Sequence, residues 1–234
     1  VLRIGLIAHF NQVLEALIKR RTTFLMDERW RTIPFSIQYP SPMQVLLGHA
    51  SVVPSLLEQM DKQLTDRRNS QQVFQSALDT LQTWEDEFLS HNETYQPVAS
   101  SDIESSIPPE LLPETCFDFL DVSHANSLSH CWAFRIVCLL QLSSLEQDGQ
   151  TAIDDSDWWK PHREEDILGL CTRICQGLPY LLQPEMSLYG PLSAAFPLRV
   201  VSQSLKMLQG EYPVQADWCN AIQEQLLSKG ILPL

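Results

Sequence analysis

Cys171 and Cys175 stand four residues apart, a spacing that puts both thiols on one face of a helix where they could share a ligand. A tetrahedral zinc site needs two further ligands, and His162 lies nine residues back on no matching face. Both cysteines are therefore assigned to packing, and Cys131 and Cys138, seven apart, are read the same way. A second candidate is Asp154-Asp155-Ser156-Asp157, followed by Trp158-Trp159. Aspartate-rich helix ends chelate magnesium in all-α terpene synthases, because a departing diphosphate needs metal-neutralised charge. These aspartates lack that spacing, and no second motif of Asn, Ser and Glu follows, so the cluster reads as a solvated acidic loop. A third is the pairing of His124 and His130 with Ser123, Ser127 and Ser129, a set from which a hydrolytic Ser/His pair could assemble. Helix capping by Ser123 explains the same residues more simply.

The remaining signals are negative. The eight glycines form neither a dinucleotide fingerprint nor a P-loop, so no backbone cradle for phosphate is encoded. There is no G-x-S-x-G elbow, no H-E-x-x-H and no C-x-x-C pair. No residue is nominated as catalytic, cofactor-binding or metal-ligating, and no cofactor is implied. The aromatics Trp84, Trp132, Tyr180 and Phe196 fall on apolar faces; they belong to the core or line an apolar effector cavity between helices.

These residues must be positioned by helices. Ile4, Ile7, Phe10, Leu14 and Leu17 form a stripe at spacings of three and four. Ser41 with Pro42 predicts a helix start that carries Met43, Leu46, Leu47 and Ala50. Pro54 restarts or kinks the chain before Leu57, Met60 and Leu64. Phe74, Ala77, Leu78, Leu81, Trp84 and Phe88 form the next stripe, ending near Ser90. Residues 128–145 are apolar all round, the mark of a central helix. Ile167, Leu170, Cys171, Ile174, Cys175 and Leu178 give the clearest amphipathic pattern. Gly190-Pro191 opens the following helix, Pro197 bends it, and Trp218, Ile222 and Leu226 stripe the last one before a stop at Gly230. From about residue 91 to 121 the text turns to Pro and Ser and predicts a loop, with Leu111, Leu112, Phe117, Phe119 and Leu120 docking its second half. The fold expected is all-α: seven or eight packed antiparallel helices in an irregular bundle, without a sheet, as a single domain over residues 1–234.

Composition sets the outer limits. Hydrophobic residues make up 44% and charged residues 19% of the 234 residues, a globular balance. The net charge of −13 argues against a duplex-binding surface. The short basic runs Lys19-Arg20-Arg21 and Arg67-Arg68 read as solvated helix ends. Six cysteines inside apolar runs favour a reducing, intracellular setting, in which the sequon at Asn92 carries no meaning. No apolar run suggests a membrane span or a signal peptide. Val1 falls inside an apolar-periodic run, from which a piece of a longer or processed chain is expected.

Residues 174–199 are the most distinctive segment. Ile174-Cys175 through Tyr180, Gln183-Pro184-Glu185-Met186, Gly190-Pro191 and Phe196-Pro197-Leu198 together resemble the C-terminal regulatory region of fungal binuclear zinc-cluster transcription factors. So do Phe24-Leu25 to Trp30 with Ile33-Pro34-Phe35, and Leu56-Leu57 with Met60-Asp61 before the Leu81 and Trp84 helix. The central helix, and Asp217-Trp218 with Lys229-Gly230-Ile231, follow in the same order. The resemblance implies a nuclear regulatory domain that controls an attached DNA-binding element and responds to a small-molecule effector or to protein partners of the transcription machinery, with homodimerisation open. The six-cysteine zinc cluster itself is not in this text, so no direct nucleic-acid contact is expected from the segment. Two other readings stay open: a helical enzyme acting on a small natural product in an apolar cavity, and an interaction scaffold. The enzyme reading requires convergent polar groups with perturbed titration in one pocket, the regulatory reading an apolar cleft without them, and the scaffold an exposed patch without a cavity.

Overall fold

The computed structural model describes residues 12–36, 39–90, 94–147, 159–208, 212–228 and 230–231. Several sequence readings lie outside these residues: the acidic run 154–157 with Trp158, the sequon at Asn92, and Ile4, Ile7 and Phe10 of the first stripe. The chain divides into two compact units, Val1–Phe88 with Gln141–Gln150, and Leu89–Leu140 with Thr151–Leu234.

Unit 1 is helical. Helix α1 (residues 12–18) buries Val13, Leu14, Ala16 and Leu17. It ends in a Schellman turn at Arg20, whose φ is 48°: Arg21 N–H donates to Ala16 O and Arg20 N–H to Leu17 O. A short 3-10 turn, Phe24–Met26, leads into α2 (Glu28–Thr32), and a second, Ile33–Phe35, follows it. Helix α3 (Pro42–Ala50) starts as its sequence predicts. Ser41 Oγ accepts from Gln44 N–H, and the Gln44 side chain accepts from Ser41 N–H at 2.8 Å, completing a capping box with Pro42 at N1. Ser51 separates α3 from α4 (Val52–Asp61), so Pro54 sits in the first turn of α4, where its missing N–H costs no helical bond. Helix α5 (Arg67–Ser90) buries Phe74, Ala77, Leu81 and Trp84 and ends where expected.

In unit 2 the structure corrects the expectation of no sheet. Residues 95–119 hold an antiparallel pair, β1 (Tyr95–Ala99) and β2 (Thr115–Phe119), in register from Tyr95 opposite Phe119 to Ala99 opposite Thr115. Pro97 disguised the first strand, since proline reads as a loop signal. In a two-stranded sheet, however, every strand is an edge and tolerates it. The β2 signal was also short, with Thr115, Phe117 and Phe119 alternating. Phe117 and Phe119 are buried, as the docking expectation required, whereas Leu120 is 66% exposed and does not dock.

Helix α6 (Val122–Gln147) is capped by Asp121, whose Oδ1 accepts from Ser123 N–H and His124 N–H at 2.8 and 2.9 Å. This corrects the assignment of the cap to Ser123, which lies inside the first turn. The carboxylate also suits the positive helix end. Residues 127–134 are fully buried, as expected of a central helix. By length and composition α6 alone among the described residues could cross a membrane, but 67% of its most apolar window is buried inside the fold, as in a core helix.

Helix α7 (Trp159–Leu181) packs on β2 and on α8 (Tyr189–Met207), and α8 packs on α9 (Pro213–Ser228). A Cβ at Gly177 would stand 3.3 Å from the Phe119 ring, so glycine lets β2 seat closely on α7. Helix α9 ends in a Schellman turn: Gly230 has φ 76°, its N–H donates to Leu227 O, and Ile231 N–H donates to Leu226 O. The molecule is thus predominantly helical with one small sheet.

Candidate functional site

The roomier cleft described lies in unit 1, has a volume of about 170 Å³, and is half open. Its walls come from Leu25, Trp30, Phe35, Pro40 and the α3 face Gln44, Val45, Leu47, Gly48 and His49. Local chemistry places each wall. Thr23 caps the 3-10 turn that carries Leu25, accepting from Leu25 N–H through its hydroxyl. Asp27 caps α2 by accepting from Arg29 N–H at 3.0 Å and also holds the Arg29 guanidinium at 2.7 Å. Those hydrogen bonds pull the Asp27 carboxyl down to about 2. The cap fixes the turn from which Trp30 projects, and Trp30 meets Phe24 edge-on with centroids 4.9 Å apart.

The strand of chain before this region is tied to α4. Arg20 makes a two-pronged pair with Asp61, both contacts at 2.8 Å, and Thr22 N–H donates to Glu58 Oε2 at 2.6 Å. Lys62 also donates to Glu58, and hydrogen bonds from Lys62 and Thr22 lower the Glu58 carboxyl to about 2. The far wall depends on the capping box, which commits the Gln44 side-chain carbonyl to Ser41 N–H. The lining is therefore mostly apolar and aromatic, with Gln44 and His49 as its side-chain polar members.

The four aromatics selected from sequence lie elsewhere. Trp84 is in unit 1, stacked on Phe88 with centroids 4.9 Å apart. Trp132, Tyr180 and Phe196 are in unit 2 and buried. Trp132 meets Phe117 and Tyr95 at 6.1 and 6.3 Å, and Tyr180 meets Phe119 edge-on at 5.3 Å. This aromatic cluster clamps the hairpin against α6 and α7. Phe196 stacks on His130 at 5.6 Å and touches Phe134 at 5.5 Å. The cleft aromatics Trp30 and Phe35 were missed as lining residues, although both stand in the Trp and Pro-aromatic stretch that the sequence singles out.

The two histidines of the Ser/His set each contact a residue three or four positions back along the chain. His124 Nδ1 lies 2.8 Å from Asp121 Oδ1, beside the α6 cap. His130 Nδ1–H donates to Asn126 O at 2.8 Å, which sets the tautomer, and burial pushes its pKa down to about 4. Among the described residues, no group of three or more His, Cys, Asp or Glu is placed to hold a metal ion.

Unit 2 has a second, much smaller pocket of about 10 Å³ against Leu226 and Ile231, the two apolar residues that flank the α9 Schellman turn. It is too small for a ligand. No protein-family model, curated protein or solved structure matches the chain.

Proposed function

We propose that the chain is a regulatory, effector-response domain of a fungal transcription factor-like protein, acting in the nucleus, and that the unit 1 cleft receives the effector. The observation that supports this reading is the cleft's lining: apolar and aromatic walls at Trp30, Phe35 and Val45, with the Gln44 carbonyl already used in a helix cap. An enzyme pocket would converge several polar groups on one reacting atom.

Size narrows the effector. Drug-sized ligands occupy sites of roughly 300–1,000 Å³, and an apolar cavity near 150 Å³ holds one benzene ring. A cleft of about 170 Å³ fits a monocyclic compound, or one aromatic or branched side chain of a partner. Binding selects the conformers in which the 24–35 segment is closed on α3, which shifts a population without chemistry.

The test has two arms. A library of monocyclic aromatics is screened by thermal shift on the wild-type chain and on Val45→Trp, which fills the cleft. A hit must raise Tm in a saturable way in the wild type and lose the effect in Val45→Trp. The same chain, fused to a heterologous DNA-binding domain in a fungal reporter strain, must change reporter output with the hit. A library without hits, or hits that act equally on Val45→Trp, sinks the cleft as the effector site. Output indifferent to a verified ligand sinks the regulatory reading.

A further inference from the structure

The unit 1 cleft has an apolar rim. Phe24, Met26, Trp30 and Ile33 are all exposed, Ile33 by 62%. They come from the two 3-10 turns and α2, the same elements that supply Leu25, Trp30 and Phe35 to the cleft wall. Phe24 meets the cleft residue Trp30 ring to ring, so apolar surface continues outward from the cleft mouth. Single exposed apolar side chains are ordinary, whereas a group of them beside a cleft marks a surface that a partner covers. A free monocyclic compound would fill the cleft and leave this rim in water. A segment of protein fills the cleft with one side chain and covers the rim with its neighbours.

Charge says what that segment carries. Residues 16–57 supply every residue that lines the cleft. They hold five basic residues, Lys19, Arg20, Arg21, Arg29 and Arg31, against the two acidic residues Asp27 and Glu28. This region is therefore +3 in a chain of −13, and the remainder carries −16. Lys19 and Arg20 are committed to Glu15 and Asp61. Arg21 is exposed. Arg29 gives its Nε and Nη2 hydrogens to Asp27, which leaves the Nη1 edge of a side chain that is 78% exposed. Trp30 follows Arg29 directly, so a guanidinium stands next in sequence to a cleft aromatic. Guanidinium N–H groups match the geometry of a carboxylate.

We propose that the cleft and its rim bind an acidic segment of a partner protein, in which one aromatic or branched apolar side chain enters the cleft and flanking carboxylates face Arg21 and Arg29. This rests on the reading of the cleft as the effector site, and it makes the effector a stretch of protein rather than a free metabolite. The apolar anchor supplies most of the affinity, and the charges supply selectivity and salt dependence.

Short fluorescein-labelled peptides test it by anisotropy on the whole chain. The acidic probes carry one phenylalanine, tryptophan, leucine or isoleucine within a run of aspartate and serine. One control replaces the anchor by alanine, and another replaces every aspartate by lysine. At least one acidic probe must bind saturably, about tenfold or more tighter than its alanine control. The lysine control must not bind, and added salt must weaken the acidic probe. Arg21→Gln and Arg29→Gln should each weaken it by about two- to fivefold, and Val45→Trp should abolish binding. No binding by any acidic probe, or equal binding of the aspartate and lysine peptides, overturns the proposal. Monocyclic compounds that bind the wild type and not Val45→Trp, with every acidic probe silent, overturn it while leaving the cleft as the effector site. An acidic probe that binds Val45→Trp as well as the wild type overturns both. The peptide comparisons on the wild-type chain decide the matter even if a variant fails to fold.

Discussion

Gly190 stands against the carbonyl of Leu181. A Cβ at position 190 would lie 2.0 Å from Leu181 O and 2.6 Å from Met186 Cβ. The elbow between α7 and α8 therefore closes only over a hydrogen. Around it, Ser187 takes φ 51°, and Ser106 Oγ donates to Leu182 O at 2.8 Å while Gln225 donates to Ser106 O at 2.6 Å. The Gly-Pro that reads from sequence as a helix start is also the point of closest approach between two chain segments.

Gly190→Ala should cost about 3 kcal/mol or more, because the obstacle is backbone and cannot swing aside. Gly169→Ala is the control. Nothing lies within 4 Å of a Cβ at that α7 position. Alanine there should stabilise by about 0.5–1 kcal/mol through helix propensity alone. Urea denaturation of the two variants checks the opposite signs; equal effects would refute the closure argument.

Gln63 ends α4 in the left-handed region with φ 55°, while Leu64 N–H donates to Gln59 O and Gln63 N–H to Met60 O. A residue with a Cβ pays about 1–2 kcal/mol to stand there. Gln63→Gly should therefore raise stability by roughly 0.5–1 kcal/mol and Gln63→Ala should not. Thermal melts of both variants distinguish this from any effect of losing the amide.

His130 predicts a pH dependence for unit 2. Its folded pKa of about 4 lies below the ordinary 6.5, so the unfolded chain takes up a proton first as pH falls. Stability is then fully present above about 6.5 and declines as pH drops toward 4, by roughly 3 kcal/mol if the whole shift is expressed. His130→Phe keeps a ring against Phe196 and should flatten the curve between pH 6.5 and 4. The slope of stability against pH is the readout, whatever the offset between the two proteins.

Glu58 acts in a lower window. Its folded value of about 2 lies below the ordinary 4.5, so its contribution is present above 4.5 and is lost as pH falls from there toward 2. Glu58→Gln should weaken the acid sensitivity of unit 1, most visibly at low salt because the site is exposed. Urea midpoints at pH 5, 4 and 3, with and without 0.5 M salt (roughly a Debye length of 4 Å), check it.

Much of the helical frame was legible because its cues are local. Ser41-Pro42 with Gln44 is a capping box written within four residues, and Gly230 is a stop that needs only its own φ. The Ile167 to Leu178 stripe shows its buried face by spacing alone. The sheet was not legible, since β1 and β2 pair across fifteen intervening residues and Pro97 hides one partner. Asp121 displaced Ser123 as the α6 cap, a choice between two competent oxygens that backbone geometry makes. The candidate site was half legible: Trp30 and Phe35 stood in a marked stretch, but nothing local says that their turns fold over the Val45 face of α3. Periodicity and capping are properties of neighbouring residues, and the sequence by itself determined the helices. Which aromatic rings clamp the hairpin and which line a cleft depend on elements brought together over long separations, and only the tertiary structure decided them.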